Sequence, residues 1–85
     1  MRAPVDQITS TVKLVLPLLR ADAAVAIESE AVPREGGPDL ASIGEDGAAW
    51  IGPLLHAIRE AERLVGRPRD DAPAWLDAVI DGGAL

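Results

Sequence analysis

The chain has 85 residues, which is enough for one small domain spanning residues 1–85. It contains no cysteine, which excludes disulfides, thiolate nucleophiles and Cys-ligated metal sites. Fourteen acidic residues against eight basic ones give a net charge of −6, which opposes binding to nucleic acid and to anionic lipid. The longest apolar run, residues 14–19, is far shorter than the roughly 20 residues that span a bilayer. We therefore expect a cytoplasmic protein without nucleic-acid or membrane partners.

The first predicted helix covers residues 4–19. Pro4 suits the first helical position, and apolar residues follow at spacings of three and four. Pro17 should end or kink this helix, because proline has no N–H and clashes with the preceding turn. The same region contains β-branched residues and alternating apolar ones, so a hairpin within 11–31 is the alternative. Residues 20–32 fit either a helix or a short strand.

Residues 33–47 are predicted to form a loop. The segment is rich in glycine, proline and acidic residues. Fifteen residues without regular structure are unusual in a small domain, so we expect this loop to be functional, mobile or covered by a partner.

Two more helices are predicted, over residues 53–65 and 72–81. Gly66 should stop the first of them, and Asp71 should cap the second. The fold class is therefore mainly α, a small bundle of about three helices, with α+β as the alternative. The predicted core consists of Val5, Ile8, Val12, Val15, Leu19, Ile51, Leu54, Leu55, Ile58, Val65, Leu76, Val79 and Ile80.

The sequence lacks the side-chain sets that catalysis and metal binding need. His56 is the only histidine, and its helical position predicts that it faces water. Asp77 and Asp81 are four residues apart, which we interpret as part of a solvated acidic face. None of the three serines lies in a nucleophile motif, and the glycine-rich loop lacks a phosphate-binding pattern. We predict no enzymatic activity, no cofactor and no metal.

The chain contains two tryptophans, no phenylalanine and no tyrosine. A short terminal helix and a core poor in large side chains predict that the protein does not work as an isolated monomer. Tryptophan is enriched in protein interfaces. We therefore predict self-association or a protein partner, with an interface formed by Trp75, Leu76, Val79 and Trp50.

These observations favour a non-catalytic interaction module, a small acidic subunit or accessory component of a larger assembly such as a phage virion or head–tail joint. One lysine against seven arginines, with much alanine, is typical of bacterial or phage genes. A regulatory binder, such as an antitoxin or a nucleic-acid mimic acting on a basic partner, is the alternative. Residues 75–83, an apolar stretch ending in Gly-Gly, are similar to the end of a double-glycine leader of bacterial peptide precursors. That similarity implies a third possibility, a leader or carrier polypeptide for a modifying enzyme.

Overall fold

The computed structural model describes residues 4–83, with side chains from residue 6 onward, and its regular structure is helical. Its elements are α1 (Pro4–Glu30), a short 3₁₀ helix (Leu40–Ser42), α2 (Glu45–Val65) and α3 (Ala74–Gly82). Within these residues, β structure is limited to one isolated bridge between Val32 and Asp39. The predicted mainly-α bundle of three helices is confirmed, and the alternative hairpin within 11–31 is wrong.

α1 is much longer than the predicted helix 4–19. Pro17 lies inside it, and the helix continues to Glu30. Pro17 cannot donate a hydrogen bond to the carbonyl of Lys13. Lys13 is exposed, so water can satisfy that carbonyl. Leu16 and Arg20, which are both buried, hold this part of the helix against the rest of the fold. Tertiary packing therefore outweighs the proline penalty here.

α2 begins at Glu45, eight residues before the predicted start at 53, so Pro53 lies inside the helix. The carbonyl that loses its partner belongs to Ala49, which is exposed. Two acidic residues in the first turn, Glu45 and Asp46, stabilise the amino end through the helix dipole. α2 ends as predicted, since Gly66 has a φ of +87°.

α3 begins at Ala74 rather than at residue 72, and Asp71 is not its cap. Pro73 occupies the N-cap position. It is Asp70 whose carboxylate accepts a hydrogen bond from the backbone N–H of Ala72, at 3.2 Å. The carboxylate of Asp70 thus fixes the segment that leads into α3.

The connection from α1 to α2 is shorter and more ordered than the loop predicted at 33–47. Its two ends meet at the bridge, where Asp39 N donates to Val32 O at 2.9 Å. The hydroxyl of Ser42 accepts from Val32 N and donates to Asp39 O, at 2.7 and 2.6 Å. Asp39 also caps the 3₁₀ helix by accepting from Ala41 N. Side-chain hydrogen bonds, the bridge and the short 3₁₀ helix together order this connection.

The core lies where the second half of α1 packs against α2 and α3. α1 and α2 are antiparallel, since Arg20 contacts Glu62 and Gly47 lies against Glu30. Small residues on α1 allow the helices to approach closely. The buried apolar residues are Leu16, Ala23, Ala24, Ala26, Ile27, Ala31, Ile51, Leu55, Ile58, Leu76, Val79 and Ile80.

The predicted core is correct for α2 and α3 and wrong for the first part of α1. Ile8 and Val15 are exposed, while Val12 is partly buried, as is Leu19, which packs against the core. Because α2 ends at Val65, opposite the middle of α1, it does not reach the amino-terminal turns of α1. The side chain of Val5 lies outside the described residues.

Candidate functional site

The outer face of α1 carries large aliphatic side chains that no other part of the described chain covers. Leu14, Leu18 and Val25 are 76%, 65% and 67% exposed. Leu18 lies nine residues from the buried Ile27, which places it about 180° around the helix from the core. Single exposed apolar residues are ordinary, but an aligned set on one face is typical of an interaction surface.

This face forms one wall of a groove, called here the outer groove. The other wall is the segment 70–73, which precedes α3. The groove has a cavity volume of about 400 Å³ and is mostly apolar. Its lining residues are Pro17, Leu18, Ala21, Ala24, Val25, Glu28, Asp70, Asp71, Ala72 and Pro73.

A second depression, the Trp75 pocket, adjoins the outer groove. The two share Glu28 as a lining residue, so they are neighbours on the surface. The indole of Trp75 lies against the backbone of the connection between α1 and α2 at Gly37. The pocket is lined by Glu28, Ala31, Pro33, Arg34, Gly37, Pro38 and Trp75.

The structure separates the four residues predicted to form an interface. Leu76 and Val79 are buried in the chain's own core, because α3 packs against α2 and α1. Trp75 is partly buried at its pocket, and Trp50 is 49% exposed on α2. The prediction that the core is too poor in large side chains to accommodate α3 is therefore wrong. An interface role stays a prediction, and Trp75 and Trp50 are the two of the four that a partner could reach.

Gly37 provides a test of the contact between the connecting segment and Trp75. A Cβ added there would lie 3.0 Å from Cβ and 3.1 Å from Cγ of Trp75, and φ is +137°. Gly36 is a matched control, since its φ of +87° is also strained for other residues but no atom lies within 4 Å. We expect Gly36→Ala to cost about 1 kcal/mol of unfolding free energy through backbone strain. Gly37→Ala should cost about 1–2 kcal/mol more through overpacking.

Chemical denaturation measures both losses. In a Trp50→Phe background the fluorescence reports Trp75 alone, since the chain has two tryptophans. We expect a shift in emission for Gly37→Ala and none for Gly36→Ala. Equal costs for the two variants would show that this segment does not pack on Trp75.

A buried arginine joins all three helices through carboxylates. Arg20 on α1 is only 2% exposed, and its guanidinium binds one acidic residue on each of three other segments. It donates to Glu62 of α2 at 2.5 Å, to Asp70 at 2.9 Å and to Asp77 of α3 at 2.8 Å. We call this set the Arg20 cluster.

Arg67 extends the Arg20 cluster toward the surface. It donates to the second carboxylate oxygen of Glu62 at 2.9 Å and to Asp81 at 2.6 Å. Asp77 and Asp81, predicted to belong to a solvated acidic face, are thus partners of buried and half-buried arginines. The predicted solvated face is confirmed for Asp81, whose side chain is 63% exposed, but only in part for Asp77, at 36%. The folded chain brings Arg20 of α1 and Arg67 of the α2–α3 connection to these carboxylates.

The pKa values follow from these contacts. Hydrogen bonds from Arg20 lower the pKa of Asp70 below its ordinary 3.8, against the opposing effect of burial. The hydrogen bond from Arg67 likewise lowers the pKa of Asp81. Burial alone would lower the pKa of Arg20, but the hydrogen bonds to its carboxylate partners outweigh burial and raise it. Arg20 and Asp70 are therefore both ionised near neutral pH, and the Arg20 cluster is a structural network.

The structure shows the surroundings of the histidine and of two serines among the described residues. His56 is exposed, as predicted. Across residues 4–83 no three His, Cys, Asp or Glu residues are grouped so that they could hold a metal ion. The hydroxyls of Ser29 and Ser42 are bound to backbone carbonyls. No helix in this part of the chain is both long and apolar enough to cross a membrane.

Comparison with known proteins found no matching family model, no matching curated protein and no matching solved structure.

Proposed function

We propose that this chain is a non-catalytic protein–protein interaction module that binds its partner through the outer groove and the Trp75 pocket. The observation that carries the proposal is the exposed aliphatic row on α1, Leu14, Leu18 and Val25, beside an apolar groove. Keeping three such side chains in water is unfavourable by roughly 1–3 kcal/mol each relative to burial. A partner that covers them would recover that free energy.

The finer form of the proposal is a small acidic component of a larger assembly, such as a phage virion or head–tail joint. Its support is the combination of an apolar docking surface with side chains that offer no catalytic arrangement. The competing idea, an acidic mimic of nucleic acid or an antitoxin, uses the acidic residues of 70–81 against a basic partner. Asp70, Asp77 and Asp81 already bind arginines within the chain, so fewer carboxylates there are available to a partner.

The test is a comparison of three forms of the full chain, tagged and expressed in the cells in which it naturally occurs. The forms are the wild type, the double variant Leu14→Ser/Leu18→Ser, and the control Leu64→Ser. Leu64 is exposed to a similar extent, at 55%, but lies on α2 away from the outer groove. Size-exclusion chromatography with light scattering and cross-linking measures the complexes.

We expect the wild type and Leu64→Ser to form the same complex with a defined stoichiometry. The double variant should lose at least about tenfold in recovered complex, equivalent to about 1.4 kcal/mol of binding free energy. Circular dichroism and melting must show that all three forms remain folded. Equal recovery of the complex with all three forms, or no complex with any of them, would contradict the proposed function.

A further inference from the structure

The outer face of α1, which forms one wall of the outer groove, has the side-chain pattern of a surface for a second helix. Leu14, Leu18 and Val25 are separated by four and seven residues, with Ala21 between the last two. This spacing follows one side of α1 for about 16 Å, roughly three turns. The small side chains of Ala21 and Ala24 leave the middle of the groove low, so that a helix can approach closely between Leu18 and Pro73.

The charges at the groove have one sign. Among the described residues that line it, Glu28, Asp70 and Asp71 are the charged ones, and all three are carboxylates. Asp70 is neutralised by Arg20. Glu28 and Asp71 are exposed and form no ion pair within residues 6–83, so they remain available to cations from outside. A ligand with basic residues beside an apolar row matches this rim.

The charge of the whole chain argues against a second copy as the occupant. At −6 on 85 residues, two copies repel each other, and a symmetric pairing of this face would bring acidic rims together. A β-strand of a partner protein is also a poor match for this surface. The described backbone offers no sheet edge beyond the single bridge Val32–Asp39, which lies in the connection between α1 and α2.

We propose that the outer groove binds an amphipathic helix of another protein, with apolar residues at three- and four-residue spacing flanked by Lys or Arg. The apolar row packs along Leu18 and Val25, and the cations pair with Glu28 and Asp71. The Trp75 pocket, which shares Glu28 with the groove, receives an apolar side chain from one end of that helix. This inference rests on the proposed function and names its partner's chemistry.

Three synthetic peptides of about 18 residues, five helical turns, serve as probes. The first is an amphipathic Leu/Lys helix, the second has the same composition in scrambled order, and the third is the amphipathic Leu/Glu equivalent. Each is labelled with fluorescein and titrated with the full chain while anisotropy is recorded. Titrations are run at about 0.05 M and about 0.3 M salt, so that screening of charges can be assessed.

We expect the amphipathic Leu/Lys peptide to bind at least about tenfold more tightly than the scrambled one, and the Leu/Glu peptide to bind most weakly. The variant Leu18→Ser/Val25→Ser should reduce the affinity about tenfold or more. Glu28→Gln/Asp71→Asn should reduce it a few-fold and make it less sensitive to salt. The matched control Glu45→Gln/Asp46→Asn, which removes two exposed carboxylates that do not line the groove, should leave the affinity unchanged.

Four results would overturn the inference. Equal affinity for the ordered and scrambled Leu/Lys peptides would mean that charge alone is recognised. Unchanged binding in Leu18→Ser/Val25→Ser would place the site elsewhere, and no binding of the Leu/Lys peptide would exclude a basic helix. Sedimentation of the chain alone adds a separate outcome. Dimers that Leu18→Ser/Val25→Ser abolishes would make a second copy the occupant, which overturns this inference while the proposed function stands.

Discussion

Replacing Arg20 by methionine should lower the free energy of unfolding by about 3–5 kcal/mol, the range measured when one partner of a buried ion pair is removed. A domain of this size has about 4–13 kcal/mol of stability in total, so the variant should be close to unfolding at moderate temperature. Methionine keeps most of the aliphatic stem, which separates the loss of charge from the loss of packing.

The loss has an identifiable cause in the Arg20 cluster. Without the guanidinium, Glu62 and Asp70 would be left as neighbouring carboxylates whose side chains are only 8% and 14% exposed. Like charges with little access to water destabilise the folded state. Arg67 would still neutralise part of the charge on Glu62, but no other described cation binds Asp70.

Denaturant unfolding of Arg20→Met measures the effect, with Arg63→Met as the matched control. Arg63 pairs with Glu60 on the surface, where its side chain is 63% exposed, so its replacement should cost under about 1 kcal/mol. A triple variant, Arg20→Met/Glu62→Gln/Asp70→Asn, should recover much of the loss because it removes the uncompensated charges as well. Similar losses for Arg20→Met and Arg63→Met would show that the Arg20 cluster contributes little.

The pH dependence gives an independent check with a defined sign. Arg20 lowers the pKa of Asp70 in the folded state, so the ion pair stabilises the fold above the ordinary pKa of 3.8 and loses its effect as pH falls through the lowered value. The stability difference between wild type and Arg20→Met should therefore be full near pH 7. It should narrow progressively below about pH 4, as Asp70 becomes protonated. A difference that is constant with pH would indicate a packing effect instead.

The helices could be predicted from the sequence, but their lengths could not. Proline and glycine act locally, and both Pro17 and Pro53 predict a helix boundary that does not exist. In each case the carbonyl that loses its hydrogen bond lies on an exposed turn, while buried residues nearby keep the helix intact. Burial depends on which segments meet in three dimensions, and a local pattern does not contain that information.

The Arg20 cluster could not be predicted from the sequence because its carboxylates are 42 to 57 residues from Arg20 along the chain. A signal was nevertheless present. Arg20 lies four residues after Leu16 and seven before Ile27, which places it on the apolar side of α1. A basic residue at such a position needs buried carboxylates, and the acidic surplus at residues 70–81 could supply them.

The candidate site was predicted only in part. Trp75 was singled out as an aromatic anchor, and it does line a pocket on the accessible surface. The outer face of α1 was missed because Leu14 and Leu18 fall beside an apolar stripe that was assigned to the core. The apolar residues in this part of α1 both alternate and recur at helical spacing, so the sequence is compatible with more than one buried face of the helix. Only the position of α2 decides which of them is buried.

Replacing Ile58 by alanine should cost about 2–5 kcal/mol of unfolding free energy. Ile58 has no exposed surface and lies on α2 in the core that α2 shares with α1 and α3. Alanine would leave a cavity in that core, and α1 could not move inward to fill it without disturbing the hydrogen bonds of the Arg20 cluster. Leu55→Ala, one turn earlier, should have a similar effect, since Leu55 is also buried.

Leu64→Ala on the same helix is the control. Because the Leu64 side chain is exposed, its truncation should lower the free energy of unfolding by less than about 0.5 kcal/mol. Urea denaturation with an unchanged m-value would measure these differences as changes in the midpoint. Losses under about 0.5 kcal/mol at both Ile58 and Leu55 would mean that α2 does not present this face to the core. The packing order of the helices would then be wrong. The outer groove would then be wrong as well, because its wall on α1 is exposed only if α2 and α3 cover the opposite side of that helix.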